Sequence, residues 1–421
     1  MTENGAGNRD GAPGRTALVI GAGVAGSVAA IALIEAGWRV QVFEAYQRSA
    51  GLAQGAFLTM AVNGLDALRA VRADHVVRDL GFRTGQIRFL SGRGRELGAM
   101  AIGPVLPDGT TTRTLLRTEL YAALSGLAAE RGAEFRYGLR LTGAREVGGQ
   151  VQATFADGTA EETAASGDVL IGADGVRSVV RTLIGPDAPG PDYTGMGNVG
   201  AVTAPGPLDV RAEAADGDYR MIWGKHCFFG YTVSPDQQIW WFANPPSRRE
   251  RTADELRATG PDELRAELIR LLAADRGPAA EIVRATRGPI LISNQYQMPR
   301  VPNWHHGRMV IIGDAAHAVS PSTGQGVSLA AEDAVALARQ LRDADQVPAA
   351  LARYQAERRD RVDQIAAWGA SMGGTKTPGA TGRVLRDLML PRILAKGSTP
   401  EAMARQDWLF GYHIDWPATV A

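Results

Sequence analysis

Residues 16–26 read Thr-Ala-Leu-Val-Ile-Gly-Ala-Gly-Val-Ala-Gly, and no other stretch restricts the fold as tightly. The first five form a continuous apolar run of the kind a parallel strand shows when both its faces are covered. In the turn that follows, Gly21 permits a tight bend and Gly23 lets backbone approach a pyrophosphate. Gly26, next to Ala25, lets a helix pack close against the strand. Free N–H groups and the positive dipole end of that helix then face the phosphates. Ala29, Leu33 and Ile34 continue an apolar helical face, Gly37 ends it, and Val40 to Glu44 is a second strand closing on a carboxylate. Glu44 stands where a ribose hydroxyl is held. An acid there disfavours a 2′-phosphate, so the ligand is an unphosphorylated adenosine: FAD or NAD rather than NADP.

Two downstream blocks decide between these. Residues 168–178, Asp-Val-Leu-Ile-Gly-Ala-Asp-Gly-Val-Arg-Ser, are a strand entering a turn with Asp174-Gly175 at its tip. Residues 309–314, Met-Val-Ile-Ile-Gly-Asp, repeat the grammar. Beyond them come His317, Pro321 and Gly324-Gln325-Gly326, then a strongly periodic helix over 327–341. A carboxylate at a strand end can hold the hydroxyls of a ribityl chain, and a glycine-rich helix start offers N–H groups to a developing negative charge. That suits a reduced flavin ring.

Together the three blocks resemble the FAD-dependent monooxygenases of the p-hydroxybenzoate hydroxylase fold, the group A flavoprotein hydroxylases, from residue 15 to about residue 360. The resemblance implies an α/β fold: a Rossmann-like FAD-binding domain over 15–186 and 289–345, a smaller β-sheet substrate domain over 187–288, and C-terminal helices over 346–421. It implies that Gly21, Gly23, Ala25, Gly26 and Glu44 bind the ADP half of FAD. Asp174 and Gly175 match a motif serving both FAD and the nicotinamide cofactor. Asp314, after Gly313, would hold the ribityl hydroxyls, while Pro321, Gly324, Gln325 and Gly326 edge the flavin ring. Arg117, in an Arg-x-x-Leu helix start, either reaches FAD or faces solvent. Ala45 stands where many relatives carry arginine, and Arg48 could substitute.

The activity so implied is monooxygenation. NAD(P)H reduces tightly but non-covalently bound FAD, O₂ adds at the flavin C4a position, and the resulting hydroperoxide passes one oxygen atom to an aromatic, heteroaromatic or polyketide-like small molecule. Hydroxylation leads; tetracycline-inactivating enzymes and monooxygenases of secondary metabolism are similar in size and motifs. The alternatives are an FAD oxidase or reductase of the same fold and a non-enzymatic FAD-binding redox sensor. Within 187–288, Tyr219–Trp223, Phe228–Val233 and Ile239–Phe242 read as short aromatic strands, and 254–275 as helical, with a doubled Asp-Glu-Leu-Arg-Ala opening two helices. Trp223, Phe228, Tyr231 and Trp241, with Phe57 from a loop carrying Gly51 and Gly55, are the candidate pocket. His226 and Tyr231 are the candidates for proton transfer if they face the flavin. His317 reads as a brace for its loop, and Arg358, Arg359 and Arg361 as a solvated or interdomain face.

Composition bounds the rest. Over 421 residues the charged side chains balance at 45 basic and 45 acidic, which favours neither nucleic acid nor an anionic membrane surface as a partner. Only Lys225, Lys376 and Lys396 break the preference for arginine. The single cysteine, Cys227, excludes an intrachain disulfide and points to the cytoplasm. Residues 1–14 read as a disordered tail. The apolar stretch 17–37 holds Glu35 and four glycines, so it is a buried strand, turn and helix rather than a membrane span. His305-His306 lacks metal-site spacing, and the oligomer is a monomer or homodimer.

Overall fold

The computed structural model describes residues 14–48, 57–159, 162–206, 208, 217–373, 380–397 and 406–417. Residues 1–13 of the expected tail, the loop with Gly51 and Gly55, and linker residues 374–379 lie outside them.

Five parallel strands form the nucleotide-binding sheet. Their spatial order is Met309–Ile311, Val169–Gly172, Thr16–Ile20, Arg39–Glu44 and Glu134–Tyr137, with His305–His306 added antiparallel at one edge. Ala17, Leu18, Val19 and Ile20 are buried on both sides of the sheet, as their unbroken apolar run requires. From this central strand the chain first builds outward through Arg39–Glu44 and later returns to the other side. The strand order therefore reverses between Thr16–Ile20 and Val169–Gly172, the position at which sheets of this kind bind ligands, in the crevice beyond the strands' carboxyl ends. The helix Val24–Glu35 is buried over nine of its twelve residues, because the helices Arg117–Glu130 and Gly326–Asp343 both pack on it.

A second sheet has seven strands in the order Leu291–Gln297, Asp192–Thr203, Ile239–Asn244, Phe228–Val233, Tyr219–Trp223, Gln86–Ser91, Glu96–Ala101. The boundary expected at 187–288 is thus too narrow: a hairpin from 86–101 and a strand at 291–297 complete the sheet. The hairpin joins through a parallel pairing of Tyr219 to Ile87 and Trp223 to Ser91. A pairing across that sequence distance leaves no local mark in composition.

The helices Pro261–Leu272 and Ala279–Ala285 cover one face of this sheet. Leu264, Leu268, Leu272, Ile282 and Val283 pack there with Phe229, Tyr231, Val233, Ile239 and Trp241. Strand alternation then turns Phe228, Thr232, Trp240 and Phe242 to the opposite face. The repeated Asp-Glu-Leu-Arg-Ala segments do open helices, Ala253–Ala258 and Pro261–Leu272, the former through a Thr252–Glu255 capping box. A three-stranded sheet of Phe57–Met60, Arg113–Leu116 and Phe82–Arg83 shares no strand pairing with either and packs on the seven-stranded sheet through Phe57 and Phe82. After Gly326–Asp343 come the helices Val347–Gly373 and Ala380–Gly397, the second continuing through Pro391, and the short Asp407–Phe410. Among the described residues, no helix is long and apolar enough to cross a membrane.

Candidate active site

The fingerprint and the Asp-Gly turn meet at the point where strand order reverses. Gly21 has φ +100°, and a Cβ there would lie 2.4 Å from the Ala173 carbonyl; at Gly26 one would lie 1.9 Å from the Gly21 carbonyl. Only glycine lets the three segments close to this distance. Glu44 folds back onto the turn, its carboxylate accepting from Ala22 N at 2.8 Å and Tyr46 N at 3.0 Å. Gly23 opens the fingerprint helix with no side-chain cap and no acid in the first turn, so its N–H groups point into the crevice uncontested by protein anions. Asp174 does cap: its carboxylate accepts from Ser178 Oγ at 2.5 Å, Val179 N at 2.7 Å and Val180 N at 3.2 Å. Burial nevertheless pushes its pKa up.

Gly313 approaches the same helix from the other side, where a Cβ would meet that of Ala25 at 3.1 Å. Asp314 follows with its side chain exposed. Arg117 Nη2 donates to Tyr121 Oη at 2.9 Å, and the guanidinium senses the charge of Asp314. Its Nε–H is buried without a protein partner, which rules out the solvent-facing reading. In the third block Pro321 is exposed, Gly324 is left-handed at φ +62°, and an added Cβ at Gly324 or Gly326 meets nothing within 4 Å. The Gly326–Asp343 helix also begins without a side-chain cap or an acid in its first turn. Two uncapped helix starts, an orphaned arginine donor and an open glycine edge fit an anionic dinucleotide carrying a flat ring.

Beneath that edge lies a buried charge cluster. Asp333 accepts from Gly313 N at 3.0 Å and Arg358 Nε at 2.8 Å, and pairs with His317 Nε2. Glu332 meets Arg361 at 2.8 Å and Arg358 Nη2 at 2.6 Å. The latter contact is off the hydrogen-bonding axis, since that nitrogen makes no directed hydrogen bond. Asn63 donates to both Glu332 Oε1 (2.6 Å) and Gln325 Oε1 (2.9 Å). Burial alone would raise both carboxyls. His317 and Arg358 outweigh it at Asp333, as Arg358 and Arg361 do at Glu332, and both are held below the usual range. Burial would lower the His317 pKa, but Asp333 prevails and raises it. His317 is a brace, as its position in the sequence suggests. Arg358, Arg359 and Arg361 are not a solvated face: Arg358 is fully buried and Arg359 nearly so, because Arg358 and Arg361 pair with the buried Glu332 and Asp333 while Arg359 donates to the Val301 and Pro302 carbonyls against Trp304.

The face of the seven-stranded sheet turned away from its covering helices is a wall of rings, largely buried. Phe57 lies 5.7 Å from Trp240, 6.3 Å from Phe242 and 6.4 Å from Tyr219, centroid to centroid; Phe228 touches Phe242 and Trp223. Tyr219 Oη lies 3.1 Å from Thr59 Oγ1 and 3.1 Å from Thr114 Oγ1, and burial keeps this phenol protonated by raising its pKa. The wall is tied to the glycine edge, since Ala61 N donates to Ser328 Oγ at 3.1 Å. Phe57, Trp223 and Phe228 therefore belong to it. Tyr231 and Trp241 do not: they pair across strands on the helix-covered face, where Trp241 Nε1 donates to Thr203 and Thr286. His226 sits exposed in the turn between Trp223 and Phe228, in a hairpin whose paired ends leave it at the sheet's rim.

A family model described as "FAD binding domain" matches residues 15–369. The chain is 32% identical to the aurachin C monooxygenase/isomerase of Stigmatella aurantiaca over 86% of its length and 89% of that protein's. It is 30% identical to the 2-heptyl-3-hydroxy-4(1H)-quinolone synthase of Pseudomonas aeruginosa, covering 77% of this chain and 80% of the relative. The structure of Klebsiella pneumoniae HpxO complexed with FAD and uric acid superposes with a TM-score of 0.78 at 24% identity, over 93% of this chain and 97% of that one. The chain belongs to the FAD-dependent monooxygenases.

In this monooxygenase, sequence reasoning passed over Tyr219, Trp240, Phe242 and the hydroxyls of Thr59 and Thr114. Their signal is the register of an antiparallel pair, Gly230 opposite Phe242 and Thr232 opposite Trp240. Where both faces of a strand are apolar, alternation cannot say which is which.

Proposed function

We propose that this monooxygenase hydroxylates a flat, neutral, nitrogen-containing bicyclic heteroaromatic compound, of the quinolone or purine type. The observation that carries this reading is the ring wall of Phe57, Trp240, Phe242 and Phe228, which ends in the hydroxyl cluster of Tyr219, Thr59 and Thr114. Offset and edge-on ring contacts suit a planar apolar body, and the hydroxyls suit a ring N–H or carbonyl at one end. Relatives bearing the names aurachin C monooxygenase and quinolone synthase support the class.

FAD, once bound, would supply the redox and oxygen-activating chemistry, with NAD(P)H as reductant. On this reading Gly21, Gly23, Ala25 and Gly26 place backbone N–H groups on the pyrophosphate, and Glu44 accepts from the adenosine ribose. Arg117 gives its orphaned Nε–H to the cofactor, beside Asp174 and Gly175, and Asp314 accepts from the ribityl chain. The uncapped start of the Gly326–Asp343 helix, shaped by Pro321, Gly324 and Gln325, stabilises negative charge on the ring system. The aromatic wall holds substrate and excludes water. Protonated Tyr219 orients the substrate's polar end. Anaerobic addition of NADH or NADPH to the yellow protein tests this: bleaching should accelerate with a 4-quinolone or purine and stay slow with a benzoate. Equal rates without any ring compound would contradict the substrate reading.

A further inference from the structure

The Ala380–Gly397 helix presents an apolar face to solvent. Its inner side lies along the edge strand Glu96–Ala101: Leu394 is buried against Gly98, and Arg386 stacks on Trp223 with its guanidinium carbon 4.7 Å from the ring centroid. Arg386 also binds Asp387 at 2.7 Å, and Arg95 donates to the Asp387 carbonyl. Turned away from this seam, Val384, Leu385, Leu388, Met389 and Ile393 are 66%, 55%, 58%, 48% and 57% exposed. At about 100° per residue these positions share one side of the helix, and exposed Arg392 lies among them. Of the described residues, the other large exposed apolar side chains, Tyr46, Val105, Val147 and Val179, are scattered singly, which is ordinary. Five in one row are not.

Charge says what covers them. Residues 376–396 carry five basic residues, Lys376, Arg383, Arg386, Arg392 and Lys396, against the single acid Asp387, in a chain whose total is zero. The third lysine, Lys225, is exposed beside them, its carbonyl accepting from Arg383 at 3.5 Å. We propose that this helix docks on an anionic lipid bilayer, its five apolar side chains entering the headgroup boundary while Arg392, exposed among them, meets lipid phosphates and the positive balance of the segment draws it to the surface. Overall neutrality argued against such a surface only because it averages over a local excess. A second copy fits less well. Five half-exposed side chains offer roughly 500 Å², below the ~800 Å² per partner of a stable interface, and a two-fold contact centred on the row would set Arg392 against its counterpart.

The test uses full-length, FAD-loaded protein in co-sedimentation with phosphatidylcholine vesicles, with and without about one quarter phosphatidylglycerol. Binding is expected on the anionic vesicles and should weaken severalfold at about 0.5 M salt. L385E/L388E should bind at least about tenfold more weakly, while V105E, altered at an isolated exposed site, binds as the parent does. Both variants should keep the parent's flavin absorbance and melting temperature. Absence of parent binding, or equal binding by L385E/L388E, would overturn the proposal. So would a dimer in sedimentation velocity that L385E/L388E splits in a protein indifferent to vesicles, for then a second copy covers the face.

Discussion

Replacing Arg358 by methionine removes the centre of the buried charge cluster while keeping most of the side chain's length. The guanidinium is fully buried, with Nε 2.8 Å from Asp333 and Nη2 2.6 Å from Glu332. Breaking a buried ion pair costs about 3–5 kcal/mol. Glu332 keeps Arg361 and Asn63, and Asp333 keeps His317, so the lower end applies, ~3 kcal/mol. At roughly 1.5–2 °C per kcal/mol for a chain of this size, the melting temperature should fall by ~5 °C near neutral pH. The pH dependence has a definite sign. In the parent both carboxyls titrate below their unfolded values, so their stabilisation is present above about pH 4 and is lost as pH falls through that range. In R358M burial pushes the less well-paired carboxyl up. The variant's native state then holds a proton that the unfolded chain has released, and its penalty grows as pH rises from about 4 to the raised value. Melting curves should therefore differ least near pH 5 and most above pH 7, by about 5 °C. An unchanged melting temperature at about pH 8, or a gap that widens on acidification, would refute the reasoning.

Gly26→Ala forces a methyl onto the Gly21 carbonyl, so the protein should purify with most of its FAD lost, read from the ratio of flavin to protein absorbance. Trp240→Ala and Trp241→Ala both remove buried rings and should each cost ~3–5 kcal/mol in urea unfolding, but only Trp240→Ala, on the ring wall, should also raise KM for substrate by ~10-fold or more in the folded fraction. Tyr219→Phe should slow substrate-dependent flavin reduction without altering FAD content. For His317→Asn, the raised histidine pKa means the lost stabilisation is full below about pH 6.5 and fades as pH rises through the folded value; urea midpoints should differ most in mildly acid buffer.

The nucleotide half was legible because each of its demands is local. A five-residue apolar run, glycines where chains come within van der Waals distance and an acid at a strand end are all readable from consecutive residues, and Gly21, Gly26 and Glu44 meet at the crevice. Arg358 was misread because an arginine-rich stretch of helix gives no sign of Glu332 and Asp333 buried on the neighbouring helix. Tyr231 and Trp241 were misplaced because Ile239-Trp240-Trp241-Phe242, the strand paired with that of Tyr231, is apolar in both phases of a two-residue repeat, and only the helices over Leu264 and Ile282 decide the inner side. The sheet's extra hairpin at 86–101 depends on a partner more than a hundred residues away, which no local pattern encodes.

The claim at the centre is that one atom of dioxygen enters an aromatic ring. Turnover of a bleaching-active heteroaromatic compound under ¹⁸O₂ with NADH or NADPH, followed by mass spectrometry of the product, tests it most directly. A product carrying a single ¹⁸O atom is the expected result. Unlabelled product, with the label recovered in hydrogen peroxide, would mean an oxidase on the same fold and would contradict it.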